Sequence, residues 1–185
     1  SGLTRRCQDI KPEYIFHCAA LARIQPSFEN PKVVYETNVL GTLNLLEAAR
    51  ICGGVKKFIY SASSSAYGIR EDMPLKEDME PQTFHPYGDS KLMGETLVKR
   101  YAESFGVSGC SLRYFNVYGP RQPSKGQYAT VIGIFLRQLK NKEPFTIVPD
   151  GNQSRDFTYV SDVVNANILA MESDKVGGGE VINIG

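Results

Sequence analysis

The sequence KKFIYSASSSAYG, residues 56–68, begins as an apolar run and continues as a run of serines. Its first part, residues 56–62, is a short apolar run rich in aromatic and β-branched side chains, which predicts a buried β-strand. Three serines, Ser63, Ser64 and Ser65, follow the predicted strand directly. Binding and catalytic groups are frequent in loops that a rigid sheet positions, so the neighbours of this strand decide what the serines can do.

Segments on both sides of this strand alternate between strand and helix patterns. This alternation indicates βαβ units and therefore an α/β fold with a parallel sheet that helices cover on both faces. In such sheets, ligands bind at the carboxyl ends of the strands. We predict strands at residues 13–20, 56–62, 108–115, 145–148 and 180–185, helices at 33–52, 87–106 and 129–141 and from an N-cap at Ser161 to about 172, and a loop around Pro26 and Pro31.

Tyr87 and Lys91 are four residues apart in a predicted helix, so their side chains share one face. A tyrosine with a pKa near 10 is a poor base at neutral pH, and lowering that pKa to about 7 requires roughly 4 kcal/mol. A cation about 4 Å away, at an effective dielectric constant near 20, supplies roughly this amount. The pair can therefore form a general base, although a solvated surface pair has the same spacing.

Composition excludes several classes of function. The net charge is +1 with acids and bases interspersed, so nothing favours a nucleic acid or an anionic membrane as the partner. No apolar run approaches the roughly 18 residues that span a bilayer. The four cysteines are far apart and only two histidines are present, so no metal site is predicted. Reduced, structural thiols in a cytoplasmic protein are the simplest interpretation.

Seven motifs occur in an order that resembles the extended short-chain dehydrogenase/reductases, in particular the sugar-nucleotide epimerase/dehydratase branch. The resemblance covers essentially every residue from 13 onward. Its motifs are HCAA (17–20), NVLGTLNLLEAA (38–49), YSASSSAYG (60–68), YGDSK (87–91), LRYFNVYGPRQ (112–122), DGNQSRDFTYVSDV (150–163) and VINIG (181–185).

The resemblance implies a role for each matching residue. Ser63, Tyr87 and Lys91 are the implied catalytic group, in which Lys91 lowers the pKa of Tyr87 and holds the nicotinamide ribose. The remaining implied contacts are with the cofactor NAD (His17, Ala19, Ala20, Asn38, Ser61 and Tyr114, with Tyr87 and Lys91) and with the nucleotide sugar (Ser64, Ser65, Asn116 and Arg155).

Four of these assignments have plain structural alternatives. His17 is equally consistent with a core histidine at a strand end, and Asn38 with a helix cap. Asn116 can simply shape a turn, and Arg155 can pair with a neighbouring acid, Asp156 or Asp162, on the surface.

The resemblance also implies the reaction. Similar dehydratases carry Asp-Glu after the catalytic Ser or Thr, and nucleotide-sugar decarboxylases keep a Glu there, whereas this chain has Ser64 and Ser65. We therefore expect NAD-dependent 4-epimerisation of a UDP-hexose or UDP-N-acetylhexosamine. The alternatives are a nucleotide-sugar 4-reductase, dehydrogenase or dehydratase of the same family, and a member that binds the cofactor without catalysis.

The expected architecture is a partial Rossmann-like, doubly wound parallel sheet that lacks its first Gly-rich βαβ unit, because no GxGxxG or GxxGxxG occurs in the chain. We expect a fragment shortened at both ends. Residues 1–121 would belong to the NAD-binding region, 122–149 to a substrate-binding segment, and 150–185 again to the Rossmann-like region. Relatives commonly dimerise through two helices per subunit, so we expect a homodimer that uses helices 33–52 and 87–106.

Overall fold

The computed structural model describes residues 2–148 and 150–185. Its centre is a parallel sheet of four strands in the order β1-β2-β3-β4. The prediction of an α/β fold with a parallel sheet is therefore confirmed. The strands are β1 (Tyr14–His17), β2 (Lys57–Ser63), β3 (Gly109–Tyr114) and β4 (Gly178–Ile184).

Helices connect these strands and cover the sheet. A long helical segment runs from Pro31 to Cys52 and contains one wider turn in its middle. In chain order the helical elements are α1 (Gly2–Ile10), α2 (Ile24–Glu29), α3 (Pro31–Tyr35), the wide turn Glu36–Leu40, α4 (Gly41–Cys52), a 3₁₀ turn (Ser64–Tyr67), α5 (Pro86–Phe105), α6 (Val131–Asn141) and α7 (Val160–Glu172).

The core forms on both faces of the sheet because successive residues of β2 point to opposite sides. Phe58 and Tyr60 pack with residues of α4 and α5 on one face. Ile59 points the other way and packs with Leu112 of β3 and Ala170 of α7. Both faces of the central strands are thus buried, which explains their continuous apolar pattern.

Helix α5 lies very close to strand β2, and Gly94 permits this approach. A Cβ atom at Gly94 would overlap the phenol ring of Tyr60. The close approach holds the amino-terminal end of α5, which carries Tyr87 and Lys91, against the carboxyl end of β2. At its other end, α5 stops at Gly106, which adopts the left-handed conformation, as the sequence predicts.

Four predictions about local structure are wrong or incomplete. Residues 24–29, predicted as loop, form helix α2, because Pro26 lies in its first turn, where the missing N–H costs nothing. Residues 145–148 form no strand, since no described strand pairs with them and Ile147 stays 67% exposed.

Ser161 is not an N-cap, because α7 begins one residue earlier and its Val160 N–H donates to the Tyr118 carbonyl. Helix α1 was not predicted.

None of the helices in the described part of the chain has both the length and the apolar character that crossing a bilayer requires.

Candidate functional site

The predicted catalytic residues meet at the carboxyl end of β2. Ser63 is the last residue of that strand, and Tyr87 and Lys91 stand one turn apart at the start of α5. Helix α5 packs directly on β2, so the three side chains share one edge of the sheet. The structure therefore brings together residues that are up to 28 positions apart in the sequence, as the predicted site requires.

The Ser63 hydroxyl is oriented by the turn that follows the strand. Its Oγ accepts a hydrogen bond from the Ser65 amide at 3.2 Å. With a lone pair engaged in this way, the hydroxyl proton can be donated elsewhere. The Ser63 hydroxyl also lowers the pKa of the Tyr87 phenol, because it favours the ionised form.

The pKa of Tyr87 is raised in this structure. Burial is the largest cause, because it disfavours the charged phenolate, and the Ser63 hydroxyl and the Arg23 guanidinium act in the opposite direction. Lys91 is not among the groups that lower this pKa in the protein alone, and its effect together with a nicotinamide stays a prediction. Removal of the phenol from water outweighs the favourable partners that the protein provides.

Lys91 is a buried cation directly beneath the site. Its side chain is only 4% exposed, and Nζ donates to the Ser61 carbonyl at 2.7 Å and lies 5.0 Å from the centre of the Tyr60 ring. Burial lowers the pKa of Lys91 to about 8, and the charges of Cys18 and Glu95 oppose this shift. An ammonium has three N–H donors, so the Ser61 bond leaves capacity for a ribose hydroxyl. This position fits the role that the resemblance implies.

Sequence reasoning missed Arg23. Its charge lowers the pKa of Tyr87, and its Nη2 donates to the Tyr128 carbonyl. Arg23 therefore joins the loop after β1 to the segment before α6. The residues in contact are 105 positions apart, so no local pattern predicted the interaction.

A row of polar side chains crosses the same edge of the sheet. Ser61 Oγ lies 3.3 Å from both Cys18 Sγ and the Tyr114 hydroxyl. The Tyr114 hydroxyl also exchanges hydrogen bonds of 2.9 and 3.1 Å with the amide of Asn167 in α7. Ser61 and Tyr114, both predicted to contact the cofactor, are thus held in fixed orientations. Asn167 was not predicted.

Asn38 fastens the loop after β1 to helix α5. Its Oδ1 accepts from the Leu21 amide at 2.8 Å, and its Nδ2 donates to the Leu21 carbonyl at 3.1 Å and to Ser90 Oγ at 2.9 Å. Ser90 Oγ donates in turn to the Tyr87 carbonyl at 2.8 Å. The side chain is 1% exposed and lies in the wide helical turn. These contacts fit a structural asparagine and do not fit a helix cap.

His17 has the contacts of a core histidine. It is buried, its Nε2 lies 2.8 Å from Thr42 Oγ1, and its ring packs against Phe58 and Tyr60. Thr42 donates to the Asn38 carbonyl at 2.6 Å, so the His17 nitrogen is the donor in the first bond. Burial, reinforced by the nearby charge of Lys91, lowers the pKa of His17 to about 4. Contact with the cofactor stays a prediction.

This lowered pKa predicts how stability depends on pH. Unfolded His17 gains a proton near pH 6.5, whereas the folded form stays neutral down to about pH 4. The free energy of unfolding should thus be unaffected by His17 above pH 6.5. It should fall by about 2–3 kcal/mol between pH 7 and pH 4.5.

Urea unfolding of the wild type and of His17→Gln at several pH values measures this effect. Gln keeps an N–H that can donate to Thr42 and does not titrate, so it isolates the histidine from other groups. An identical loss of stability in both proteins over this range would contradict the prediction.

The residues predicted to bind the diphosphate also lie together. Asn116 Nδ2 donates to the Asp156 carbonyl at 2.8 Å, which places Asn116 beside Arg155. Asn116 has a φ angle of 29°, so it also shapes a turn. Arg155 Nη1 donates to the Ser154 carbonyl at 2.6 Å, and across the described residues no ion pair joins it to Asp156 or Asp162. The surface-pair alternative for Arg155 is therefore not supported.

The remaining predicted contact residues line the same edge. Ser64 and Ser65 begin the 3₁₀ turn after β2 and are half-buried. Ala19 and Ala20 follow β1, and Ala19 is exposed. The small side chains of Ala19 and Ala20 leave this edge of the sheet accessible to a planar ring.

A buried ion pair behind the site was also missed. Arg113 of β3 forms bonds of 2.9 and 2.7 Å with the Glu95 carboxylate, and both side chains are at most 4% exposed. Glu95 is one turn beyond Lys91 in α5. Burial raises the pKa of Glu95, and the charges of Arg113 and Lys91 oppose that shift. The charges thus alternate in sign from Lys91 at the site, through Glu95, to Arg113 in the core.

The chain resembles proteins whose names describe UDP-sugar 4-epimerases. It is 36% identical to the UDP-glucose 4-epimerase of Mycolicibacterium smegmatis over 186 residues, which cover all of this chain and 58% of that protein. A similar solved structure is the UDP-N-acetylglucosamine 4-epimerase of Methanobrevibacter ruminantium M1 in complex with UDP-N-acetylmuramic acid. It matches with a TM-score of 0.93 and 40% identity, and the match covers 100% of this chain and 57% of the epimerase chain.

A second similar structure contains a cofactor. The UDP-glucuronic acid 4-epimerase of Bacillus cereus, in complex with UDP-glucuronic acid and NAD, has a TM-score of 0.88 and 35% identity, with 100% of this chain and 57% of that chain covered. This chain thus spans little more than half the length of the proteins that it matches. The sequence model described as "NAD dependent epimerase/dehydratase family" matches residues 1–185. The chain belongs to the NAD dependent epimerase/dehydratase family.

Proposed function

We propose that the protein containing this chain is an NAD-dependent 4-epimerase of a UDP-hexose or UDP-N-acetylhexosamine. The observation that carries the proposal is the convergence of a hydroxyl, a phenol and a buried ammonium at one strand end. Ser63 favours the ionised form of Tyr87, and Lys91 is anchored on the Ser61 carbonyl, two residues earlier on the same strand. Binding alone would not require this combination of proton-transferring groups.

In the proposed reaction, Tyr87 removes the proton of the sugar 4-hydroxyl, and Ser63 shares the hydrogen bond to that oxygen. NAD, when bound, would supply the hydride acceptor and a positive charge. Lys91 holds the ribose and adds a second positive charge. Together these charges counter the burial that raises the pKa of Tyr87 in the protein alone.

Epimerisation requires the oxidised sugar to turn while it stays bound, so the diphosphate must be anchored. We assign this anchor to Arg155 and Asn116, which lie together. An arginine fork suits phosphate oxygens because it can donate two parallel hydrogen bonds. Residues 122–149 would form the substrate-binding segment between the two parts of the Rossmann-like region, 1–121 and 150–185.

The residues after Ser63 favour epimerisation over elimination. Ser64 and Ser65 provide hydroxyl groups where related dehydratases and decarboxylases need a carboxylate. A 4-reductase or dehydrogenase would use the same three catalytic residues and is the main alternative.

A substrate panel tests the proposal. An enzyme of full family length that contains this chain should be incubated with UDP-glucose, UDP-N-acetylglucosamine and UDP-glucuronate separately. We expect the C4 isomer of the first or second sugar by ¹H NMR, without net change in NADH absorbance. Stoichiometric NADH formation would indicate a dehydrogenase, and loss of water or CO₂ would indicate elimination or decarboxylation. Any of these outcomes contradicts the proposal.

We further propose a homodimer that uses the outer faces of α4 and α5. Large apolar side chains are exposed on both helices, including Ile51 (45%) in α4 and Met93 (46%) and Phe105 (54%) in α5. Pairing with the same faces of a second subunit would bury them in a four-helix arrangement.

A further inference from the structure

A buried histidine begins the helix that carries the catalytic phenol. His85 is 2% exposed and directly precedes Pro86 and Tyr87. It has extended backbone angles, φ −152° and ψ 151°, and occupies the N-cap position of α5. Its Nδ1 accepts a hydrogen bond of 2.8 Å from the Gly88 amide.

This bond places a requirement on the protonation of His85. The first amides of a helix have no partner within the helix, and Ser, Thr, Asp or Asn usually accepts from one of them. An imidazole nitrogen can do so only through a lone pair, so His85 must be neutral, with its proton on Nε2. A protonated imidazole has only donors and would oppose the Gly88 amide.

The same imidazole is packed against Tyr87. The two rings are nearly parallel, with centroids 6.1 Å apart and an interplanar angle of 6°. Phe84 and Phe28 contact His85 edge-on, with centroids 4.7 and 6.5 Å away, and fix its orientation. The backbone of Gly88 fits between this ring and the turn after β2. A Cβ there would lie 3.0 Å from His85 Cε1 and 3.1 Å from the Ser65 carbonyl oxygen.

We propose that His85 is a positioning residue. Its neutral imidazole caps α5 and holds Tyr87 in place against the Ser63–Ser65 turn. Protonation of the imidazole breaks the cap, so that Tyr87 is no longer held, and this protonation sets the lower pH limit of activity. The proposal rests on the proposed role of Tyr87 as the base. His85 itself does not touch the reacting atoms. It acts through the placement of Tyr87.

The groups around His85 keep it neutral at pH 7. Burial is the largest influence and lowers the pKa of His85, whereas the Asp89 carboxylate on the same helix raises it by a smaller amount. Asp89 is itself engaged by the Thr83 hydroxyl and by the Tyr35 hydroxyl at 3.3 Å. Because the pKa of His85 is lower than that of a free histidine, the cap is intact at neutral pH and is lost as the pH falls.

Two variants at one position separate placement from folding. Asn is a good helix cap that does not titrate, and Ala removes the cap. In an enzyme of full family length, we expect His85→Asn to keep kcat within about threefold at pH 7.5 and to lose the acid limb that the wild type shows below pH 6.5. We expect His85→Ala to lower kcat by about tenfold or more, with KM for the UDP-sugar changed by less than about threefold, because the phenol is misplaced.

A second readout does not depend on activity. The chain has two histidines, so the ¹⁵N imidazole signals of His85 can be assigned by comparison with His17→Gln. We expect an unprotonated Nδ1 at pH 7.5 and a Gly88 amide signal that shifts with His85 as the pH falls. A protonated Nδ1 at pH 7.5, or an unchanged acid limb in His85→Asn, would overturn the proposal. If the wild type epimerises no UDP-sugar, the proposed function fails, and these signals alone decide whether His85 caps the helix.

Discussion

Tyr87→Phe should reduce kcat for epimerisation by about 10²–10⁴-fold, which is the usual contribution of a positioned general acid or base. Phenylalanine keeps the ring that packs against His85 but removes the oxygen whose ionised form Ser63 favours. Binding of the UDP-sugar should change little, because the proposed diphosphate anchor consists of other residues, Arg155 and Asn116. The loss should therefore appear in kcat and not in KM.

Tyr101→Phe is the matched control for this variant. Tyr101 lies on the same helix and is also buried, and its hydroxyl donates to Glu47 at 3.1 Å, away from the site. We expect unchanged kcat in this control and native circular dichroism in both variants. A Tyr87→Phe enzyme that is well folded and retains more than about a tenth of the wild-type kcat would remove Tyr87 from the reaction.

The fold was largely predictable because its central strands, β2 and β3, are buried on both faces. Continuous apolar runs such as residues 56–62 and 108–115 have few alternatives in a chain that also contains amphipathic helices. The same reasoning was wrong for residues 145–148, because an apolar run does not reveal whether another strand pairs with it. It also overlooked α2, since Pro26 was taken as a sign of loop although proline is compatible with a first helical turn.

Part of the site was predictable for a different reason. The spacing of Tyr87 and Lys91 is a local property of one helix, and the serines directly follow a predicted strand. Arg23 acts on Tyr87 through tertiary packing, and nothing in its own neighbourhood indicates this. His85 lies only two residues before Tyr87, but histidine is not among the residues that usually cap a helix. The opposing effect of burial on the Tyr87 pKa was not predictable, because burial cannot be weighed against charge without coordinates.

The buried pair of Glu95 and Arg113 supports the second large prediction. We expect Arg113→Met to lower the free energy of unfolding by about 3–5 kcal/mol, because it leaves the Glu95 carboxylate buried without its partner. The pKa of Glu95 is already raised by burial and is held down by Arg113 and Lys91. Without the guanidinium, Glu95 should take up a proton at a higher pH, and Lys91 would then lose a favourable charge.

Urea unfolding of two further variants shows whether burial is the cause. Glu95→Leu combined with Arg113→Met removes both charges, so it should recover most of the stability that the single change loses. Arg50→Met breaks the Glu47–Arg50 pair, which has a comparable distance of 2.6 Å but side chains 38–39% exposed. It should cost much less than Arg113→Met, because ion pairs near the surface contribute little to stability. If Arg113→Met is no more destabilising than Arg50→Met, the buried Glu95–Arg113 pair does not stabilise the fold. The influence of this pair on the Lys91 ammonium is then contradicted as well.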